Sequence, residues 1–235
     1  MRQRRAIPEA DGGEPLWSAQ GWLHAETLES LAEVNEQCLE LMCEQAVAAR
    51  VPGDAPRELA GYAAAVRPAA LLIELRPLWE ELDAPARRRA ARCPYLLVDA
   101  GLAEAERWAR VLERQVQDEA RPRGTRAFFA GPRAVGVMRL VVTYAWHLAR
   151  SQSAAARLLL GMSAPCGRLI AACTLSQVSR LAETHVEWLK PRWAERVGVW
   201  RELLSAAISG EHAALERIRL RGVQLLAADA RTMHL

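Results

Sequence analysis

The sequence predicts an all-α protein built from many helices. Three observations predict it. Apolar residues recur at three- and four-residue steps, helix start and stop signals flank those stretches, and sustained β-type alternation is absent. From Ala25 to Arg50, Leu28, Leu31, Val34, Cys38, Leu41 and Met42 mark one face of a long helix, and Val51-Pro52-Gly53-Asp54-Ala55-Pro56 breaks it. Two shorter helices follow, divided near Pro68, with Leu71, Leu72, Leu75, Leu78 and Trp79 on the inner side. Asp83 reads as an N-cap, with Pro85 in the first turn, where its missing N–H has no helical partner to lose. Pro94 to Val98 reads equally as an isolated strand or a helix end, and another helix runs from Ala103 to about Gln117.

Residues 118–133, rich in Arg, Gly and Pro, read as a linker. Beyond it, Val135 to Leu160 reads as one long helix closed by Gly161, a natural left-handed cap. Ser163 caps a short helix to Cys173. Thr174-Leu175-Ser176-Gln177 is a capping box opening a helix to about His185. Further helices are expected between Arg192 and Ser209, closed by Gly210, and from Glu211 to about Ala228. The organisation predicted is an arm at 1–20, an N-terminal helical subdomain at 21–117, the linker, and a C-terminal helical domain at 134–235. The last contains a helix-turn-helix-like corner. An offset of 80 residues also pairs Ala84/Ala164, Pro85/Pro165, Arg88/Arg168, Ala91/Ala171, Cys93/Cys173, Val98/Val178 and Trp108/Trp188, a faint echo of a helical unit.

With 51% hydrophobic and 25% charged residues in 235, the chain is globular and long enough to bury a real core. Of its 31 basic residues only Lys190 is not Arg, which together with abundant Ala reflects GC-rich coding. Arg richness is therefore no nucleic-acid signal by itself. The charge is uneven: residues 1–138 sum to −3 and residues 139–235 to +6, which directs the C-terminal half toward a polyanion or an acidic partner. Five cysteines without framework spacing, and no apolar segment behind the first arginines, point to cytoplasmic thiols. No apolar run approaches the ~18–20 residues of a membrane span. The nearest, Ala134 to Ala149, contains Arg139 and His147.

No phosphate loop, nucleophile elbow or zinc-ligand pair occurs. The histidines are scattered, Cys38 and Cys43 lie on different helix faces, and Cys166 and Cys173 lack tight metal spacing. The pairs Glu80/Glu81 and Glu104/Glu106 read as solvated faces with ion pairs. No catalytic, cofactor or metal residue is assigned, and the expected role is binding. Of the eight tryptophans, Trp146, Trp188 and Trp193 are candidate interface anchors, against a core role for each.

The most informative segment is RLVVTYAWHLARSQSAAARLLLGMSAPCGRLIAACTLSQVSRLAETHVEWLKPRW, Arg139 to Trp193. Its long Leu/Ala-spaced helix leads into Arg157-Leu158-Leu159-Leu160-Gly161-Met162. Thr174-Leu175-Ser176-Gln177-Val178 then precedes Leu181-Ala182-Glu183-Thr184. In order and spacing this resembles the FlhD family of bacterial flagellar transcriptional activators. The resemblance implies an all-α regulator that dimerises and joins a partner of the FlhC type, the partner supplying a cysteine-bound zinc and much of the DNA contact. It covers roughly 55 residues. His185 to Trp193 departs from the family's tail, and the first 135 residues lie outside the resemblance.

On its own physics the segment is an αα corner. Leu175, Val178, Leu181 and Ala182 are expected inward, Gln177 at the cap, and Ser176, Ser179, Arg180 and Glu183 outward. Arg180 with Lys190, Arg192 and Arg196 are the candidate phosphate-facing cations, which position rather than specify. The function expected is transcriptional regulation through an FlhC-like or other helical partner and DNA. The alternative is a helical adaptor that binds only proteins. A homo-oligomer with the 135–160 helix as its seam is expected.

Overall fold

The computed structural model describes residues 24–48, 70–117 and 127–232. The arm at 1–20, the breaker at 51–56, Pro68 and residues 118–126 of the linker lie outside them. The described residues form eleven α-helices and one two-stranded sheet, so the protein is all-α. In chain order these are α1 (Ala25–Ala48), α2 (Ala70–Glu74), α3 (Arg76–Glu81), α4 (Ala84–Ala91), β1 (Val98–Asp99), α5 (Ala105–Gln117) and α6 (Pro132–Ser151). There follow α7 (Ser153–Leu160), α8 (Ala164–Ala172), α9 (Leu175–Thr184), β2 (Lys190–Pro191), α10 (Val197–Ser209) and α11 (His212–Thr232). A 3₁₀ turn at Val186–Trp188 links α9 to β2.

The predicted punctuation is present. Asp83 accepts the Ala86 N–H at 2.8 Å with Pro85 in the first turn, and Ser163 does the same for Cys166 at 3.3 Å beside Pro165. Gly161 and Gly210 close their helices at φ of 63° and 71°, where a Cβ would be strained. The echo at offset 80 covers these two proline-started helices, α4 and α8, and ends there. After Cys93 the chain is extended, whereas after Cys173 it is helical. The seventh pair, Trp108 and Trp188, meet edge to face at 5.2 Å.

Elements from both sides of residues 118–133 share one core: α1 packs on α4 and α6, α5 on α8, and α10 on α3 and α4. Two predicted helices differ from the structure. The expected 135–160 helix is interrupted at Gln152, which leaves helical geometry (φ −145°, ψ 69°) and donates through Nε2 to Thr27 Oγ1 at 3.1 Å. The Ser151 hydroxyl takes the His147 carbonyl at 2.8 Å, a back-bond that competes with the ladder. Tyr144 donates to the Thr27 carbonyl at 2.8 Å, so α6 is tied to the first turn of α1 where it ends. The helix expected from Arg192 starts only at Val197. Residues 190–191 are instead a strand antiparallel to β1 (Val98 opposite Pro191), and Trp193 turns the chain at φ 54°.

That strand pair belongs to a long irregular passage through the core. Tyr95, Leu96, Leu97, Val98, Ala100 and Leu102 are buried without helical hydrogen bonds, so each polar backbone group needs a partner elsewhere. Asn35, fully buried on α1, supplies two: Nδ2 donates to Tyr95 O (2.9 Å) and Oδ1 accepts the Leu97 N–H at 2.9 Å, while Nδ2 also reaches Ala91 O at 3.1 Å and Cys93 O at 3.5 Å at the end of α4 and just beyond it. The Leu96 N–H reaches Leu159 O at 2.8 Å, and the Arg192 N–H reaches Leu97 O at 2.9 Å.

Indole N–H groups close the adjoining turns. Trp79 donates to Leu71 O at 3.3 Å, Trp108 to Gly101 O at 2.9 Å, Trp146 to Cys173 O at 2.9 Å and Trp200 to Arg192 O at 2.8 Å. The Tyr95 phenol crosses α11 where a Cβ on Gly222 would stand. Gly222→Ala is therefore expected to lower stability by about 1–3 kcal/mol through overpacking, although Ala is the better helix former. Urea unfolding reads the difference, and a neutral or stabilised variant would contradict this contact.

Candidate functional site

The αα corner is formed by α8 and α9. Its capping box is reciprocal: Thr174 Oγ1 accepts the Gln177 N–H at 3.3 Å, and Gln177 Oε1 accepts the Thr174 N–H at 2.8 Å. The box stops α8, starts α9 and lays Val178, Leu181 and Ala182 against α6. Leu175 corrects the sequence expectation: it is 55% exposed, because the first turn of α9 is left uncovered by the described residues. Ser176, Arg180 and Glu183 face solvent and Ser179 is half-buried. Glu183 meets Arg139 of α6 at 2.6 Å, so two of the outward charges on this face neutralise each other.

Below α9 the chain turns through a packed polar-aromatic cluster. His185 Nδ1 lies 3.0 Å from Glu187 Oε1, and its ring stacks on Trp188 with centroids 4.6 Å apart. The Arg107 guanidinium sits 4.5 Å from the same indole. This cluster has no sequence signature, because Arg107 and Trp188 are brought together only by the packing of α5 against the 3₁₀ turn at Val186–Trp188.

Two interface candidates are corrected by their burial. Trp188 is held between Trp108 and His185, and Trp193 packs edge-on to Tyr95 and donates to Asp229 Oδ2 at 2.8 Å. Trp146 is half-buried, with Arg150 over its ring at 4.8 Å and its N–H spent on Cys173 O.

The four candidate cations separate. Arg180 and Arg196 are exposed, and Lys190 is exposed but lies 3.5 Å from Asp99. Arg192 is corrected from a phosphate-facing residue to a buried one, 9% exposed. Its Nε donates to Leu96 O at 2.9 Å, and Nη2 donates to Leu160 O at 2.9 Å and to Val98 O at 3.3 Å. Burial lowers the guanidinium pKa, and Asp99, Asp229 and Tyr95 pull it back toward the charged form. A fork of donors matches three converging carbonyls in a way no ammonium does.

All five thiols are free, and burial raises every one: Cys43 and Cys93 to about 11, Cys166 to about 12, Cys173 upward and Cys38 further still. Burial thus disfavours the thiolate form at each of them. Among the described residues no group of three His, Cys, Asp or Glu is placed to hold a metal, and no helix is long and apolar enough to cross a membrane. No model of a known family, no curated protein and no solved structure matches the chain.

Arg192→Ala should cost about 3 kcal/mol or more, since it leaves buried carbonyls unpaired, whereas Arg180→Ala should stay within about 0.5 kcal/mol. Equal effects in chemical denaturation would contradict the assignment of Arg192 to the core. A raised native thiol pKa contributes stability that is complete below the unfolded value and lost as pH rises above it. Stability should therefore fall from about pH 9 upward. A thiol-reactive chromogen at pH 8 should label the buried cysteines only as fast as the protein opens, and immediate labelling of all five would contradict the burial.

Proposed function

We propose that the protein is a helical regulatory or assembly subunit that works by binding another protein, with the outward face of α9 as its contact surface. The observation that carries this reading is an apolar residue, Leu175, left 55% exposed at the head of a helix whose remaining outward positions are Ser176, Ser179, Arg180 and Glu183. An exposed apolar side chain ringed by small and charged residues fits the apolar centre and polar rim of a protein contact. The resemblance of residues 139–193 to the FlhD family favours the regulatory version, in which an FlhC-like subunit docks here and carries most of the DNA contact. Direct DNA reading by this chain has thinner support. Arg192 is buried, Lys190 is exposed but faces Asp99, and Arg139 faces Glu183, which leaves Arg180 and Arg196 as the exposed candidates not set against a carboxylate among the described residues.

The test is affinity purification of the tagged chain from its host with and without nuclease, beside a Leu175→Glu, Arg180→Glu double variant. The expected outcome is a stoichiometric protein partner that survives nuclease and is lost from the variant, while the variant's circular dichroism is unchanged. Recovery that requires nucleic acid, with affinity for DNA falling steeply between low and moderate salt, would replace this reading with direct DNA binding.

A further inference from the structure

Arg192 is incompletely used by the fold. Its Nε and Nη2 are taken by three carbonyls, but Nη1 makes no hydrogen bond with any described residue. That nitrogen faces Gly161, where a Cβ would stand only 3.1 Å away. Gly161 lies where two open clefts adjoin. One, of about 290 Å³, is lined by Lys190, Arg192, Arg196 and Asp229 among others. The other, of about 710 Å³, runs past Arg157, Leu158, Met162 and Pro165, and the two share Ala103, Gly161 and Ala230. Together they match the size of a metabolite site. The larger cleft is bordered by Leu158, 55% exposed, so it offers an apolar wall in continuity with a buried cation.

The clefts also carry carboxylates, Glu195 in the smaller and Glu104 and Glu106 in the larger, and Glu104 is paired with Arg107; the two nearest Arg192 are engaged with other groups. Asp99 accepts the Gly101 N–H at 2.9 Å and faces Lys190, and Asp229 accepts the Trp193 indole. A guanidinium withdrawn from water is stabilised when an anion meets its remaining donors. We propose that this junction binds a small amphipathic molecule with an oxyanion head. Arg192 Nη1 and Arg196 receive the head, and the apolar body lies along Leu158, Met162 and Pro165. Gly161 is then needed twice, once for the left-handed helix end and once because a Cβ there would meet Leu226 Cδ1 at 2.8 Å and Arg192 Nη1 at 3.1 Å. Occupancy here is separate from partner binding at α9, since none of these residues belongs to that face.

The experiment is calorimetric titration of the full chain with decanoate, decyl phosphate, acetate and decylammonium, each below its micellar concentration. Decanoate or decyl phosphate should bind at least ten-fold more tightly than acetate, because each buried methylene contributes up to about four-fold. The tighter of the two identifies the head as carboxylate or phosphate, and decylammonium should not bind. Ala230→Trp, on an exposed position of α11 at the junction, should weaken binding at least ten-fold with an unchanged melting temperature. Arg196→Glu should weaken it several-fold. Equal binding of decylammonium, undiminished binding by Ala230→Trp, or no binding of either long-chain anion would overturn the proposal.

Discussion

The structure depends on hydrogen bonding for a stretch of backbone that is not helical. Residues 95–102 cross a helical core, where every unpaired N–H or C=O carries a cost of about 1–3 kcal/mol. Two polar side chains meet part of that demand from opposite sides: Asn35 from α1 takes Tyr95 O and the Leu97 N–H, and Arg192 from the turn before α10 takes Leu96 O and Val98 O. The positions of other elements follow from these bonds. Helix α1 must keep Asn35 opposite Leu97, α7 must end with Leu159 and Leu160 beside the same passage, and the chain must leave helical geometry at 190–196. Tryptophan assists because an indole combines a large apolar body with a single donor. Trp108 and Trp200 fill the core and close a turn with the same side chain.

This constraint also shapes what the surface can do. An arginine used as an internal scaffold is withdrawn from electrostatic work outside, so the +6 of the C-terminal half overstates the cationic surface there. Further cations are spent on neighbours: Arg139 on Glu183, Arg219 on Glu216 and Arg221 on Glu202. What α9 presents outward is small, mixed in charge and apolar at one end, which suits a protein surface better than a phosphate backbone.

Much of the fold was legible in the sequence where the determinants are local. Caps at Asp83, Ser163 and Thr174, left-handed glycines at 161 and 210, and the apolar stripe of α1 are all set within a turn of the residues concerned. Tertiary partners were not legible. Nothing near Gln152 says that Thr27 will take its amide and end α6, and nothing near Arg192 announces that Leu96, Val98 and Leu160 will converge on it. Asn35 is the intermediate case: a lone amide four residues after Leu31 and three before Cys38, on the apolar face, is a signal of a buried hydrogen-bond hub. The corner at α8–α9 was visible through its capping box. The burial of Trp188 and Trp193, and the exposure of Leu175, depend on packing that no short window contains.

Native-state hydrogen exchange of the Leu96, Leu97 and Arg192 amides addresses the irregular core passage most directly, since these three N–H groups bond to Leu159, Asn35 and Leu97. If the passage is the frame on which the helices are arranged, all three open only with global unfolding, with the same free energy as the most protected amides of α1 and α6. Exchange of these three through a local opening, while α1 and α6 remain protected, would mean that the helices hold the fold without it and would contradict this account.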